Sequence, residues 1–469
     1  MASTDRAPGA AGTLDLGAAG STVHIVGVGG AGMSAIALVL TRMGHTVSGS
    51  DLKDSRVLER LRLVGVRVAV GHAAGNLPDS VDAVVVSTAI PSTNAEVEAA
   101  RSRGVPVFRR ADALRAIVAA RSSIAVAGSH GKTTTASMLA LILRGADRDP
   151  SFVIGGDLNE VGTNAAWGDG DVLVVEADES DGTFLELSPR DAIVTSVLPD
   201  HLDHYGGYGA LVDAFRGFVA AVPGICLVCA DDPGAADLAD SNERALTYGF
   251  DDVATYRISD YEGGRAGTQF RLAGRGELLG AIELPVPGRH NALNAVAAAA
   301  MALELGVTFS AVTRALGAFG GVARRFQFRG ELAGVTFVDD YAHLPSDVVE
   351  MIRAAREGGW ERVIAVFQPH RYTRTAALWR DFADAFVDAD TVVVTDVYSS
   401  GEPALPGVSG RLVVRAVLDA HPAQSVVYLP RRGDLVEHVP RLARAGDLVL
   451  TLGAGDLTGL PDEWLADRQ

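Results

Sequence analysis

SIAVAGSHGKTTT, residues Ser123 to Thr135, is the stretch on which the reading of the fold turns. An apolar, β-branched run enters G-S-H-G-K-T, and an alanine- and leucine-rich segment follows from Lys132. The order is strand, glycine loop, helix. Backbone N–H groups of such a loop cradle phosphate oxygens, its lysine brings a compact charge to the terminal phosphates, and Thr133 offers a hydroxyl to Mg2+. Gly128, Ser129, His130, Gly131, Lys132, Thr133 and Thr134 are therefore the candidate triphosphate loop. The strict pattern has another glycine at position 126, where this chain carries Val126, so the loop is a variant. Lysine occurs only at Lys53 and Lys132; the rest of the 41 basic residues are arginine. One surviving lysine thus falls where a planar guanidinium substitutes poorly.

Toward the N-terminus, Gly27, Gly29 and Gly32 form G-x-G-x-x-G after a strand and before a helix, with Asp51 19 residues beyond Gly32. The glycines permit the turn, the approach of backbone to phosphate and the packing of helix on strand, while the helix N-terminus offers N–H groups to a diphosphate. The motif predicts a dinucleotide or nucleoside-diphosphate ligand without saying which. Strands are expected at Val23–Gly29, Thr46–Asp51 and Val81–Thr88, with a helix at Ala31–Met43 and a helical stretch at Arg109–Arg121.

Beyond the triphosphate loop the same grammar repeats. Strands are expected at Ser123–Gly128, Asp171–Asp178, Asp191–Val197 and Ile225–Ala230, then helices at His290–Leu305 and Ser310–Phe319. A strand-rich patch, Ala254–Leu284, predicts a small antiparallel addition. A third section has strands at Val335–Tyr341, Arg362–Phe367, Thr391–Tyr398, Ser425–Leu429 and Leu448–Leu452, and helices at Ser346–Ala355 and Thr375–Phe386. Alternating strands and helices imply parallel sheets. The fold class is α/β, with three domains in series: a flexible tail at 1–20, then 21–118, 119–320 and 321–469.

Composition bounds the function. The chain has 469 residues, 48% apolar and 21% charged, enough to bury a core. A net charge of −17 argues against nucleic acid or an anionic membrane as partner. Neither a membrane-spanning run nor a secretory signal is read, so a cytoplasmic location is expected. Two cysteines make no disulfide framework, and CLVC (Cys226–Cys229) is read as a buried strand whose thiols face opposite sides.

Acidic clusters end two of the central strands. VLVVEADESDG (Val172–Gly182) offers Glu176, Asp178, Glu179 and Asp181, of which Glu176 is the first choice for Mg2+, the others capping, binding through water or lying in solvent. TSVLPDHLDHYGGY (Thr195–Tyr208) adds Asp200, His201, Asp203 and His204.

GSHGKTT, EADESDG and DHLDHYGGY, in that order, resemble the bacterial Mur ligases. So do GRHNALNAVAA (Gly288–Ala298), RRFQFRG (Arg324–Gly330) and FQPHRYTRT (Phe367–Thr375), which spreads the resemblance over nearly the whole chain after the tail. GVGGAGMSAIA (Gly27–Ala37), EADESD, DHLD and VDDYAHLPSD (Val338–Asp347) resemble the branch that joins L-alanine to UDP-N-acetylmuramate; a tripeptide-recycling branch acting on the same sugar nucleotide is the near alternative. The resemblance implies a Rossmann-like UDP-binding domain, a central ATPase domain and a C-terminal Rossmann-like domain. It implies ATP-driven activation of a carboxylate as an acyl phosphate, then attack by an amine, in the cytoplasmic stage of peptidoglycan assembly.

The resemblance also distributes roles. Thr133 and Glu176 match ligands of the metal shared by β- and γ-phosphates, and His201 a ligand or partner of a second metal. His290, Asn291 and Asn294 match the adenine-holding stretch, Asp340 the ribose-binding acid, and Arg324 or Arg325 a reach to the phosphates. Tyr341, His343, His370, Arg371 and Arg374 match the pocket for the amino-acid carboxylate and transferred phosphate; Arg371 and Arg374, three apart, are expected on one helix face. Gly29, Gly30, Ala31 and Gly32 would meet the UDP diphosphate, and Asp51, His72 and Ser87 the ribose and uracil. If the third section acts on a phosphate held at Lys132, it must close over it.

Three departures matter. Leu344 stands where the family commonly has a second histidine. The middle section has no lysine after Lys132, so the carbamylated lysine of several relatives is impossible. CLVC imitates a redox motif. Two other classes compete. An NAD-dependent oxidoreductase would use the first glycine loop but leave Lys132 and Glu176 idle; a nucleotide sensor would leave Arg371, Arg374 and His343 idle.

Overall fold

The computed structural model describes Leu14 and residues 20–466, and the side chain of Asp203 is not among the groups described. The tail expected at 1–20 falls outside these residues apart from Leu14 and Gly20. By contact density the chain forms two compact units: residues up to Ile258 with Ala273–Leu278 and Asn294–Ala315, and Ser259–Leu272 with Leu279–Leu293 and everything from Leu316. The section read as 21–118 and most of that read as 119–320 thus fall in the first unit, while Ser259–Leu272, Leu279–Leu293 and the residues from Leu316 fall in the second.

In the first unit, β1 (Thr22–Val26), β2 (Thr46–Asp51), β3 (Arg67–Val70), β4 (Ala83–Val86) and β5 (Val107–Arg109) form a parallel sheet ordered β3-β2-β1-β4-β5. Its central strands are buried on both faces, as parallel sheets covered by helices must be. The helices are α1 (Ala31–Arg42), α2 (Arg56–Leu63), α3 (Ala95–Ser102) and α4 (Arg110–Ala119). α1 buries Met33, Ile36, Ala37 and Leu40, one stripe at helical spacing. β1 is shorter than expected because Gly27, at φ +81°, turns the chain out of the sheet.

A second sheet follows. Its strands are β6 (Ser122–Ala127), β7 (Ser151–Leu158), β8 (Thr163–Ala166), β9 (Val172–Glu176), β10 (Asp191–Val194), β11 (Cys226–Cys229) and β12 (Ala245–Gly249), in the order β12-β11-β10-β6-β9-β7-β8. All the pairs are parallel except β7 with β8. Behind the loop after β6 stands α5 (Lys132–Gly145), buried on most of its circumference. α6 (Leu202–Tyr205), α7 (Tyr208–Ala221) and α8 (Pro233–Ala236) follow β10 and β11. The strand-rich patch is β13 (Tyr256–Gly264), β14 (Gly267–Gly274) and β15 (Glu277–Leu284), adjacent in that order, and then come α9 (Arg289–Glu304) and α10 (Phe309–Gly317). Cys226 and Cys229 are buried in β11, and burial pushes both thiols up to about 12, so they behave as apolar filling.

The second unit carries a six-stranded sheet ordered β16-β17-β21-β18-β19-β20. Its members are β16 (Gln327–Leu332), β17 (Val335–Asp340), β18 (Val363–Phe367), β19 (Thr391–Val394), β20 (Val426–Tyr428) and β21 (Leu448–Leu452), with only β16 antiparallel. Successive residues feed opposite cores: Val338, Ala365 and Leu450 on one face, Phe337, Ile364 and Val449 on the other. α11 (Pro345–Glu357) has Pro345 in its first turn, where a missing N–H costs nothing. The helix expected at Thr375–Phe386 lies earlier: α12 spans Tyr372–Leu378 and gives way to a 3-10 turn at Trp379–Phe382. α13 (Arg411–Ala420), α14 (Arg432–Leu442) and α15 (Leu460–Ala466) complete the chain. Among the described residues no helix is long and apolar enough to cross a membrane.

Candidate active site

The loop between β6 and α5 is held in shape before any ligand arrives. Gly128 (φ +135°) and Gly131 (φ +80°) adopt backbone conformations that side chains disfavour. A Cβ at Gly128 would lie 2.1 Å from Thr195 Oγ1, and one at Gly131 would lie 2.4 Å from Asn294 Oδ1. The stretch after β10 forms the loop's other wall: Ser129 N donates to Ser196 O at 2.9 Å, His130 N to Ser196 Oγ at 3.0 Å, and Thr195 Oγ1 to His130 O.

Lys132 folds back across this loop. Its Nζ donates to Gly128 O at 2.5 Å and Ser129 O at 3.3 Å, and lies 2.8 Å from the Glu179 carboxylate. Burial opposes the ammonium, but the carboxylates of Glu179, Glu176 and Asp178 outweigh it and hold its pKa above the ordinary value. Burial drives Glu179 the other way, upward, against the pull of Lys132. A solvated Glu179 was one of the sequence expectations; it is buried and paired to the loop lysine. Spacing alone does not tell which acid in EADESD folds inward.

Glu176, at the end of β9, meets the loop. Thr133 Oγ1 donates to Glu176 Oε1 at 3.0 Å, and Gly155 N to Glu176 Oε2 at 2.6 Å. Hydroxyl and carboxylate stand side by side as hard oxygen donors, the set that suits Mg2+ with water completing its shell. Among the described residues no three His, Cys, Asp or Glu side chains gather as a ready-made cage. His201 stands at a left-handed backbone position (φ +54°) with its ring 3.1 Å from Asp200. Thr134 is buried in the first turn of α5. Asn294 is buried against the loop, and its Oδ1 accepts from Thr135 Oγ1 at 3.2 Å, a partner the sequence reading did not foresee.

In the same unit, the first glycine loop leads into α1. Gly30 N donates to Gly27 O at 3.3 Å, closing the turn, and Gly29 N donates to Asp51 Oδ2 at 2.9 Å. A Cβ at Gly29 would lie 2.8 Å from that oxygen, and one at Gly32 would lie 3.1 Å from Arg110 Nη1. Ser87 N donates to Val26 O at 3.2 Å, and His72 Nδ1 lies 2.9 Å from Ser50 Oγ. Beside the start of α1 a cavity of about 780 Å³ runs from Ala31 and Ser34 past Arg60 to Gly155 and Asn164. It leads from the helix N-terminus to the glycine whose N–H holds Glu176.

The second unit gathers a separate cluster. Tyr341 lies beneath two guanidinium groups, Arg324 at 4.7 Å and Arg325 at 5.3 Å from its ring centre. Arg324 is fixed by donating to Gly453 O at 2.8 Å from a left-handed backbone (φ +62°). Each oxygen of Asp340 accepts one backbone N–H: Oδ2 from Phe326 N at 2.6 Å and Oδ1 from Ala342 N at 2.7 Å. Burial pushes its carboxyl up to about 6, against the pull of Arg325. Asn291 Nδ2 donates to Pro287 O at 2.7 Å, and a Cβ at Gly288 would meet the His290 ring at 2.6 Å.

His343 and His370 pack edge to face, 5.6 Å apart, and His370 stacks on Tyr398. His343 Nδ1 lies 3.1 Å from Tyr341 O, and Arg374 Nη1 lies 3.3 Å from His370 Nδ1. Burial holds both imidazoles down at about 4, so both are neutral at pH 7. The expectation that Arg371 and Arg374 share a helix face fails. Arg371 precedes α12 with φ +65°, its N–H donating to Tyr398 O at 2.8 Å, and only Arg374 lies on the helix. Leu344 is buried at the start of α11, where Asp347 accepts from its N–H at 3.2 Å.

Comparison with known proteins finds matches over most of the chain. Three family models match in series: the Mur ligase family catalytic domain over 22–122, the Mur ligase middle domain over 126–302, and the Mur ligase glutamate ligase domain over 324–455. The UDP-N-acetylmuramate–L-alanine ligase of Pelotomaculum thermopropionicum is 46% identical over 93% of this chain and 95% of its own length. The crystal structure of UDP-N-acetylmuramate-alanine ligase from Thermotoga maritima superposes with a TM-score of 0.81 at 30% identity, covering 95% of this chain and 98% of that one. A murein peptide ligase from Psychrobacter arcticus follows at TM-score 0.69 and 25% identity, over 95% and 98% of the two chains.

Proposed function

This chain belongs to the Mur ligase family, and from that premise we propose that it joins L-alanine to the lactyl carboxylate of UDP-N-acetylmuramate, consuming ATP, as a step of peptidoglycan synthesis. The observation that carries the chemistry is the triphosphate loop with Lys132 aimed across it and Thr133 and Glu176 side by side at its helix end. The alanine-adding reading stands ahead of the tripeptide-recycling one because the murein peptide ligase is less alike in sequence and in fold.

A carboxylate is a poor electrophile and must be activated before an amine attacks. Bringing it to an anionic γ-phosphate requires positive charge and in-line placement. The loop N–H groups and Lys132 hold the triphosphate and offset its charge. Thr133 and Glu176 would hold Mg2+, with His201 near a second ion; the metal supplies neutralisation of the phosphate oxygens. The carboxylate attacks the γ-phosphorus and ADP leaves; the neutral amine then attacks the acyl carbon, the C–O bond to phosphate breaks, and the amine nitrogen gives up one proton as the amide forms.

The remaining roles follow the same reading. Gly29, Gly30, Ala31 and Gly32 take the UDP diphosphate, and Asp51, His72 and Ser87 the ribose and uracil. His290, Asn291 and Asn294 serve the adenine, Asp340 its ribose, and Arg324 and Arg325 the phosphates. Tyr341, His343, His370, Arg371 and Arg374 receive the amino-acid carboxylate and the transferred phosphate. Neutral His343 and His370 suit an amine that must arrive unprotonated, and arginine binds carboxylate and phosphate bidentately. We assign 21–118 to the sugar nucleotide, 119–320 to ATP and 321–469 to the amino acid, and place the enzyme in the cytoplasm.

Phosphate release with UDP-N-acetylmuramate, ATP and Mg2+ tests this, with L-alanine, glycine, L-serine and the tripeptide as acceptors. L-Alanine is expected to give the highest kcat/KM. Turnover with the tripeptide alone would move the chain to the recycling branch, and none with any acceptor would refute a ligase.

A further inference from the structure

Behind the first sheet lies a buried carboxylate that the proposed reaction does not use. Glu96, in the first turn of α3, is wholly enclosed and accepts four hydrogen bonds. Oε1 takes Asn76 Nδ2 at 2.6 Å and Ala73 N at 3.1 Å; Oε2 takes Ser50 Oγ at 2.5 Å and His24 Nε2 at 3.3 Å. His24 completes its own pairing through Nδ1, 2.9 Å from Ser48 Oγ. Every neighbour of the carboxylate is a donor, which is the environment of an ionised acceptor.

The direction of these bonds propagates outward. A serine hydroxyl has one hydrogen, and Ser50 spends it on Glu96. Its oxygen therefore accepts from the other group it touches, His72 Nδ1 at 2.9 Å. The proton of a neutral His72 is thereby placed on Nδ1, leaving a lone pair on Nε2.

We propose that Glu96 is a positioning residue for sugar-nucleotide recognition: through Ser50 it fixes His72 in the Nδ1–H tautomer, so that Nε2 accepts a hydrogen bond from a uridine donor, the uracil N3–H or a ribose hydroxyl. The proposal rests on the reading of His72 as a nucleotide contact. It predicts why glutamine at position 96 is not a conservative change. An amide NH2 on the Asn76 and Ala73 side would face a fixed backbone N–H. On the Ser50 side it faces a hydroxyl that can turn and the His24 ring, which can carry its proton on Nδ1 toward Ser48 Oγ and accept at Nε2. Ser50 then accepts from Gln and donates to His72 Nδ1, and His72 presents a donor where the nucleotide needs an acceptor.

The test uses the full chain labelled with 15N-histidine. Long-range 1H–15N correlation at pH 7.5 in the unliganded protein is expected to show His72, assigned through His72→Gln, as the Nδ1–H tautomer. Glu96→Gln is expected to convert it to Nε2–H and to weaken UDP-N-acetylmuramate binding by calorimetry about tenfold, the scale of one lost hydrogen bond, with a non-hydrolysable ATP analogue moving less than about twofold. Ser50→Ala cuts the same link with a smaller change and should release the tautomer too, which keeps the test open if Glu96→Gln does not fold. An Nε2–H or doubly protonated His72 in the parent, or a tautomer indifferent to both substitutions, overturns the relay. Unchanged affinity in His72→Gln overturns instead the nucleotide contact on which it rests. With 3-methyl-UDP and 2′- and 3′-deoxy-UDP as probes, a loss in one identifies the donor; no loss in any refutes the acceptor role.

Discussion

Replacing Lys132 by arginine keeps the charge and changes only its shape. In the loop the ammonium donates to Gly128 O at 2.5 Å, Ser129 O at 3.3 Å and the Glu179 carboxylate at 2.8 Å, and it can turn one of these N–H groups to a bound phosphate. A planar guanidinium is larger and cannot take that arrangement. The loop has no slack to accommodate it, since Gly128 already abuts Thr195 Oγ1 and Ser196. At an effective dielectric constant of ~20, charges 2.8 Å apart attract by about 6 kcal/mol, most of it offset by desolvation. Overpacking costs about 1–3 kcal/mol of stability, so Lys132→Arg should fold with a lowered Tm. Lys132→Met, which strands Glu179 as a buried unpaired charge, should lose about 3–5 kcal/mol. Misplacing one preorganised donor on the transferring phosphate costs about 10²–10³ in rate. Phosphate release by Lys132→Arg is therefore expected to fall at least about a hundredfold, with calorimetric affinity for UDP-N-acetylmuramate within about twofold of the parent, because Asp51 ends β2 of another sheet and Gly29 and Gly32 lie in the turn and helix that follow β1 of that sheet. A variant that kept more than about a tenth of the parental rate, or lost sugar-nucleotide affinity in parallel, would refute the division of labour between the two loops.

Two further outcomes follow from the geometry. His343 and His370 titrate at about 4 in the fold against 6.5 when unfolded, chiefly through burial. The unfolded chain binds the extra protons in that interval, so stability is full above pH 6.5 and declines as pH falls toward 4, by up to about 3 kcal/mol for the deeply buried His343 and by less for the half-buried His370. Urea midpoints between pH 7 and 4.5 should show His343→Gln flattening that decline, and an unchanged slope would contradict the buried neutral imidazole. Gly29→Ala would drive a methyl into Asp51 Oδ2, 2.8 Å away, and break the bond from Gly29 N; KM for UDP-N-acetylmuramate should rise at least about tenfold with KM for ATP little changed, and steady-state kinetics in which both rise together would refute it.

The strands and helices that were legible in advance are those whose pattern is local and strong. β6, β9, β17 and β21 are near-continuous apolar runs, and both glycine loops sit between a strand and a helix as the spacing requires. Among the elements that went unread, three are edge strands with weak patterns: β3 contains an arginine and has no fully buried residue, β8 reads TNAA, and β16 leaves Phe328 exposed; β7, an interior strand with four buried residues at its start, went unread as well. Such edge strands exist because a neighbouring strand offers them a hydrogen-bonding edge, β2 to β3, β7 to β8 and β17 to β16, which their own residue pattern does not announce.

Contiguous residues carried the α/β class, the two strand–glycine loop–helix turns and the family, because that geometry is written in short runs of chain. Long-range packing settled which acid of EADESD turns inward to Lys132, that Asn294 supports the loop, that Arg371 leaves the helix face of Arg374, and that Glu96 stands behind His72. Each of those depends on partners up to 159 residues away, and a charge becomes a buried ion pair or a hydrogen-bond relay only when folding takes water from both sides of it.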